Sequence, residues 1–206
     1  MLIATGNNGC LKLNVSPLRI TRELDNITRE LLDWMMKREL KKIRLKYELD
    51  DTIVIPQVDS KNIRLPGLEE FVIERGKALR VYRGMANRLA DSGWVKIGEE
   101  NLTLKDITSM RWLESSEEVL IKLPEFFYLK AVKLIGEGKD SKIMEVQNDL
   151  QEIIDIRLRK LIKLVFLKEA PANILERLQP EEKLLYSFLK EALKIWQKEL
   201  MSPDGG

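Results

Sequence analysis

The side chains that most often do chemistry are scarce in this chain. It has no histidine and one cysteine, Cys10. Without histidine it lacks the commonest general acid/base and the commonest metal ligand. Ser-His-Asp and Cys-His catalysis are excluded outright. Cys10 cannot form an internal disulfide or build a zinc site alone, and beside Gly9 and Asn8 it reads as an incidental residue rather than a nucleophile. The acidic pairs Asp50-Asp51, Glu99-Glu100 and Glu117-Glu118 fall in predicted loops or caps. Adjacent carboxylates there face solvent, and none has the arrangement of a paired-carboxylate site or a magnesium cluster. Gly136-Glu137-Gly138-Lys139 lacks the spacing of a phosphate loop and follows a helix rather than a strand. The residues therefore predict no catalytic site, no cofactor and no metal.

Two basic clusters remain. Lys37, Arg38, Lys41, Lys42 and Arg44 close a helical segment. Arg157, Arg159, Lys160 and Lys163, with Asp155 nearby, lie on a second helix. The first fits a patch for DNA or an acidic partner; the second fits an interface ion-pair set or a DNA-facing patch. A solvated helix face, with long stems covering apolar surface, is the alternative for both. With 35 basic and 33 acidic residues the net charge is only +2, so any DNA contact would be local and weak.

The elements that position these groups are mostly helical. Over 206 residues one domain or two small ones are expected. Charged residues make up 33%, above the usual ~25%, and that dense mixed charge resembles a thermophile's surface. No apolar run approaches the ~20 residues that cross a bilayer. Met1–Cys10 lacks the charged and apolar regions of a signal peptide, which predicts a cytoplasmic, nucleoid-associated protein with no membrane contact.

Residues 1–50 read as an extension. A loose start with a short strand at Leu11–Val15 precedes a helix over about 18–47, begun by Ser16-Pro17. Ile20, Leu24, Ile27, Leu31 and Trp34 form a heptad stripe. Met36, Leu40, Ile43 and Tyr47 repeat it about two residues out of phase, predicting a bend or a change of partner.

Residues 51–98 read as a small α/β module. Strands are expected at Thr52–Ile55, Glu70–Glu74, Ala78–Tyr82 and Trp94–Ile97, a turn at Pro66-Gly67, and a helix over Gly84–Ser92 facing Met85, Ala86 and Leu89 inward. Residues 99–201 read as a larger helical-bundle domain, and 202–206 as a frayed tail. Thr103 with Asp106 starts one helix. Leu123-Pro124-Glu125 starts the next, which takes in Phe126, Phe127, Leu129 and Val132 and stops at Gly136-Glu137-Gly138. A long amphipathic helix follows near Ser141–Lys168. Its stripe runs Ile143, Val146, Leu150, Ile153, Ile154, Leu158, Leu161 and Val165. From Ile156 to Leu167 it is too apolar for one intramolecular face, which predicts a subunit interface. Ala172–Leu178 makes a turn or two, and Gln179-Pro180-Glu181-Glu182 starts the last helix. The fold class is thus mostly α: a helical N-terminal extension, a small α/β module, then the helical bundle.

Three segments in this order carry a resemblance: Leu123-Pro124-Glu125-Phe126-Phe127-Tyr128-Leu129-Lys130, Asp155-Ile156-Arg157-Leu158-Arg159-Lys160-Leu161, and Gln179-Pro180-Glu181-Glu182-Lys183-Leu184-Leu185-Tyr186. With a β module ahead of the helices, the chain resembles an archaeal subunit of the GINS replication complex, of the type related to the second and third Partners of Sld five. The resemblance covers about Thr52–Leu200. It implies a non-catalytic scaffold that packs against the other GINS subunit type, as a dimer of dimers, and bridges the MCM helicase and a Cdc45/RecJ-like protein. It places Arg157, Leu158 and Leu161 at the helical interfaces, with Phe126 and Phe127 anchoring the preceding helix. Together with Ile154 and Val165 from the apolar stripe, these seven make the expected subunit interface. Arg83-Gly84-Met85-Ala86 departs from the proline or aromatic residue expected ahead of the short helix. Residues 1–51 lie outside the resemblance: they are a lineage-specific extension, or follow from an upstream start with Met35 and Met36 as internal starts. The alternative function is a DNA-binding regulator whose 84–97 helix-strand piece imitates a winged helix.

Overall fold

A computed structural model describes residues 17–63, 71–98, 102–137 and 143–202. The expected strand at 11–15, the Pro66-Gly67 turn, Cys10 and the tail beyond 202 lie outside the described residues. The chain divides into two compact units, Met1–Lys41 and Lys42–Gly206.

Helix α1 (Pro17–Glu48) starts at the proline and takes in both apolar stripes. The stripes differ in exposure. Ile27, Leu31 and Trp34 are exposed. Met36, Leu40, Ile43 and Tyr47 are half-buried.

The module is a three-stranded antiparallel sheet of order β4-β1-β5, built from β1 (Asp51–Pro56), β4 (Leu79–Tyr82) and β5 (Val95–Ile97). β1 shows strict alternation: Thr52, Val54 and Pro56 are buried, Asp51, Ile53 and Ile55 exposed. That period of two puts one face against α2 (Arg83–Asp91), where Val54, Val81, Ala86, Leu89 and Val95 form a core. Gly93, at φ +73, ends α2 in the left-handed region that costs glycine nothing. A second ribbon pairs β2 (Ser60–Ile63) with β3 (Phe71–Ile73). β2 was not foreseen, because Ser60-Lys61-Asn62 carries no apolar alternation. Among the described residues of 51–98, α2 is the only helix.

The helical part comprises α3 (Leu104–Ser116), α4 (Phe127–Glu137), α5 (Ile143–Phe166), α6 (Ala172–Leu175) and α7 (Pro180–Leu200). Thr103 and Asp106 close a reciprocal capping box on α3, and Gln179 and Glu182 close another on α7. The 24 described residues of α5 span about 36 Å, and Ser141 and Lys142 lie outside the described residues. One expectation fails at α4. Residues 123–126 are not its first turn; Phe126 has φ 54 and swings the chain before the helix starts at Phe127. α4 is described to Glu137, inside the expected stop at Gly136-Glu137-Gly138, and Gly138 lies outside the described residues. Ile107, Leu123, Phe127, Ala131, Val146, Leu150 and Ile153 form one core. Leu120, Leu161, Leu164, Val165 and Leu178 form another.

Candidate subunit interface

The interior of the helical part is organised around a charge. Val146, Leu150, Ile153, Arg157, Leu161 and Leu164 are buried in one helical phase of α5, so Arg157 occupies a stripe position among apolar residues. Its side chain is 1% exposed. A buried guanidinium is tolerable only with its donors satisfied and its charge balanced. Here all five N–H groups are engaged. Nε and Nη2 donate to the two carboxylate oxygens of Glu182 on α7, at 2.6 and 2.8 Å. Nη1 donates to Glu114 Oε2 on α3 at 2.7 Å and to the Ile121 carbonyl at 3.1 Å. Nη2 also donates to the Arg177 carbonyl at 3.0 Å. Lys160 Nζ reaches the other Glu114 oxygen at 2.6 Å. Two cations and two carboxylates leave the cluster neutral. Burial opposes the Arg157 charge, but the hydrogen bonds and charge of Glu182, with Tyr128 and Glu114, prevail and raise its pKa.

The surrounding groups extend this cluster. Tyr128 on α4 donates its hydroxyl to Glu182 Oε1 at 2.5 Å. Burial, then the Glu182 charge, hold that phenol far above its ordinary range. Gln179 Oε1 accepts from the Phe127 backbone N–H at 3.1 Å, and its Nε2 donates to the Pro124 carbonyl at 3.0 Å. The three sequence segments that carried the resemblance thus converge: Pro124, Phe127 and Tyr128 from the first, Arg157 and Lys160 from the second, Gln179 and Glu182 from the third.

Five of the seven expected interface residues are covered within this chain. Phe126 (2% exposed), Phe127, Arg157, Leu161 and Val165 are consumed inside this chain. Phe126 packs its ring 5.3 Å from that of Tyr47. The helical stripe showed that α5 buries a face, but not whose atoms cover it. Ile154 and Leu158 are the two that stay exposed, at 37% and 38%. The second basic cluster divides as well: Arg159 and Lys163 are exposed while Arg157 and Lys160 serve the core.

Ile154 and Leu158 line a groove of about 310 Å³ between α4, α5 and α7. Tyr128 and Val132 form one wall, Leu150 and Leu161 the floor, and Glu181, Glu182 and Leu185 the other wall. Val132 is 63% exposed. The polar network ties both walls to the floor, since Tyr128, Arg157 and Glu182 each come from a different one of these helices. Neither carboxylate oxygen of Glu181 bonds to another residue. Burial pushes its pKa up, with the neighbouring Glu182 charge adding and Arg44 opposing. Chemically the groove offers apolar surface and one underused carboxylate, which suits docking. Sequence reasoning missed Glu114, Tyr128, Gln179 and Glu182 as partners of Arg157. The available signal was the arginine in phase with the buried stripe.

The first basic cluster is exposed throughout. Lys37 is paired with Asp33 at 2.8 Å, and Arg38 lies over the Trp34 ring at 5.3 Å. Among the described residues no helix is long and apolar enough to cross a membrane. Residues 101–201 match the family model for Sld5, the GINS complex protein helical bundle domain. A comparison with curated proteins finds no match.

Proposed function

We infer that this chain, whose residues 101–201 belong to the GINS helical bundle family, is a non-catalytic subunit of a GINS complex in DNA replication. The family match carries this reading: it covers α3 to α7, the whole helical part. GINS proteins are scaffolds, and the scaffold role here is to bridge the MCM helicase and a Cdc45/RecJ-like protein. The subunit is of the archaeal type related to the second and third Partners of Sld five. Its partner of the other GINS type docks on the α4–α5–α7 groove through Val132, Ile154 and Leu158, building a dimer of dimers. Several exposed apolar side chains support an assembling subunit: beyond the groove, Trp112, Phe166, Trp196 and Leu200 are each at least 60% exposed. The domain boundaries proposed are an extension to residue 50, the module over 51–98 and the helical domain over 99–201. Lys37, Arg38, Lys41, Lys42 and Arg44 offer a weak contact to DNA or to an acidic partner.

Co-expression with a GINS subunit of the other type, followed by sizing and pulldown of MCM helicase, tests the reading. A stable hetero-oligomer that retains the helicase is expected. A monodisperse monomer that ignores both would sink it.

A further inference from the structure

The outer face of the module's sheet breaks the usual pattern. A sheet with one face packed on a helix carries polar residues on the other. Here β1 presents Ile53 and Ile55 outward, 43% and 36% exposed. Register fixes their neighbours. Ile53 lies opposite Arg80 of β4, and its carbonyl accepts the Gly98 N–H at 2.8 Å. Ile55 lies opposite Lys96 of β5. Gly98 leaves a gap where a side chain would meet Ile53 Cγ2 at 3.6 Å and Ile55 Cδ1 at 3.7 Å. Tyr82 lies opposite Asp51 at one corner. Trp94 stands at the other, where its carbonyl accepts from Gln57 N–H at 2.8 Å. Both aromatics are exposed. Arg80 and Lys96 are exposed on opposite flanks, with no ion pair among the described residues.

We propose that this face, Ile53, Ile55, Tyr82, Arg80, Trp94 and Lys96, is a docking surface for a protein segment that carries apolar side chains flanked by carboxylates. The aliphatic centre takes the apolar side chains, and the two flanking cations take the carboxylates. Single-stranded nucleic acid fits less well. Its bases stack on successive aromatics, whereas Tyr82 and Trp94 are six residues apart along β1, roughly 20 Å. The middle of the face is aliphatic, and Asp51 repels phosphate beside Tyr82. The site lies outside the family-matched residues 101–201 and uses none of the α4–α5–α7 groove.

The test uses the full chain co-assembled with its partner subunit, and it rests on the bridging reading for its probes. Two variants are made: I53T/I55T, which keeps β-branching, and R80E/K96E, which touches only exposed groups. Binding is measured to purified MCM helicase, to purified Cdc45/RecJ-like protein and to a 30-nucleotide single-stranded DNA. Sizing and melting unchanged from wild type, with at least tenfold weaker binding of one of the two proteins in both variants, is the expected result. Binding of both proteins changed by less than twofold overturns this proposal and leaves the bridging reading intact. A wild-type complex that binds neither protein overturns both. Loss confined to the DNA overturns the proposal in favour of a nucleic-acid face.

Discussion

Arg157 and Glu182 meet fork to fork, two parallel hydrogen bonds of 2.6 and 2.8 Å joining α5 to α7 inside the helical core. The pair is bidentate, dry and completed by Glu114, so neither partner has water as a substitute. Removing the guanidinium leaves two buried carboxylates facing each other across Lys160 alone. Arg157→Ala is expected to cost about 3–5 kcal/mol in urea denaturation. Arg157→Lys is also expected to destabilise, since an ammonium lacks the planar fork that reaches Glu182 and Glu114 together. Wild-type stability in both variants would show that the network contributes nothing.

Gln179 links the start of α7 to the start of α4. Its side chain satisfies the buried Phe127 N–H and the Pro124 carbonyl. Gln179→Ala leaves both without that partner and is expected to lower unfolding free energy by about 1–3 kcal/mol. Amide exchange at Phe127 should rise in the same variant. An unchanged exchange rate there would contradict the assignment.

Glu181 gives a pH signature. Its folded pKa lies above the unfolded value, so the folded state binds more protons in that window. Its contribution is therefore fully present below the unfolded pKa, about 4.3, and is lost as pH rises through the folded pKa. Glu181→Gln is expected to stabilise the chain at pH 7 and to lose that advantage near pH 4. A stability difference that does not vary with pH would exclude the burial of this carboxylate as the cause.

Ile154 and Leu158 separate folding from assembly. Both are exposed in the chain by itself, so I154D/L158D is expected to leave melting within a few degrees of wild type. The same variant should lose co-purification with the other GINS subunit. Retained co-purification would move the interface away from the groove.

Local signals were legible where local chemistry decides the structure. Thr103 with Asp106 and Gln179 with Glu182 announced helix starts, and both form capping boxes. The β-branched run Thr52–Ile55 and the alternation of Ala78–Tyr82 announced strands, and both pair in β4-β1-β5. Phe126 was misread because nothing in Leu123-Pro124-Glu125 signals that a phenylalanine takes a left-handed backbone. Arg157 was misread for a different reason. Its partners lie 43 and 25 residues away, so spacing within α5 displays a basic cluster and hides the ion pairs. Burial by the chain itself and burial by a partner leave the same apolar stripe in a sequence.

Membership in a GINS assembly requires that this chain associate with its partner subunit. Sizing with mass measurement of the chain co-purified with a GINS subunit of the other type addresses it directly. A single species containing both chains, of mass matching two copies of each, is expected. A monomer of 24.0 kDa that remains alone in the presence of that subunit would contradict it.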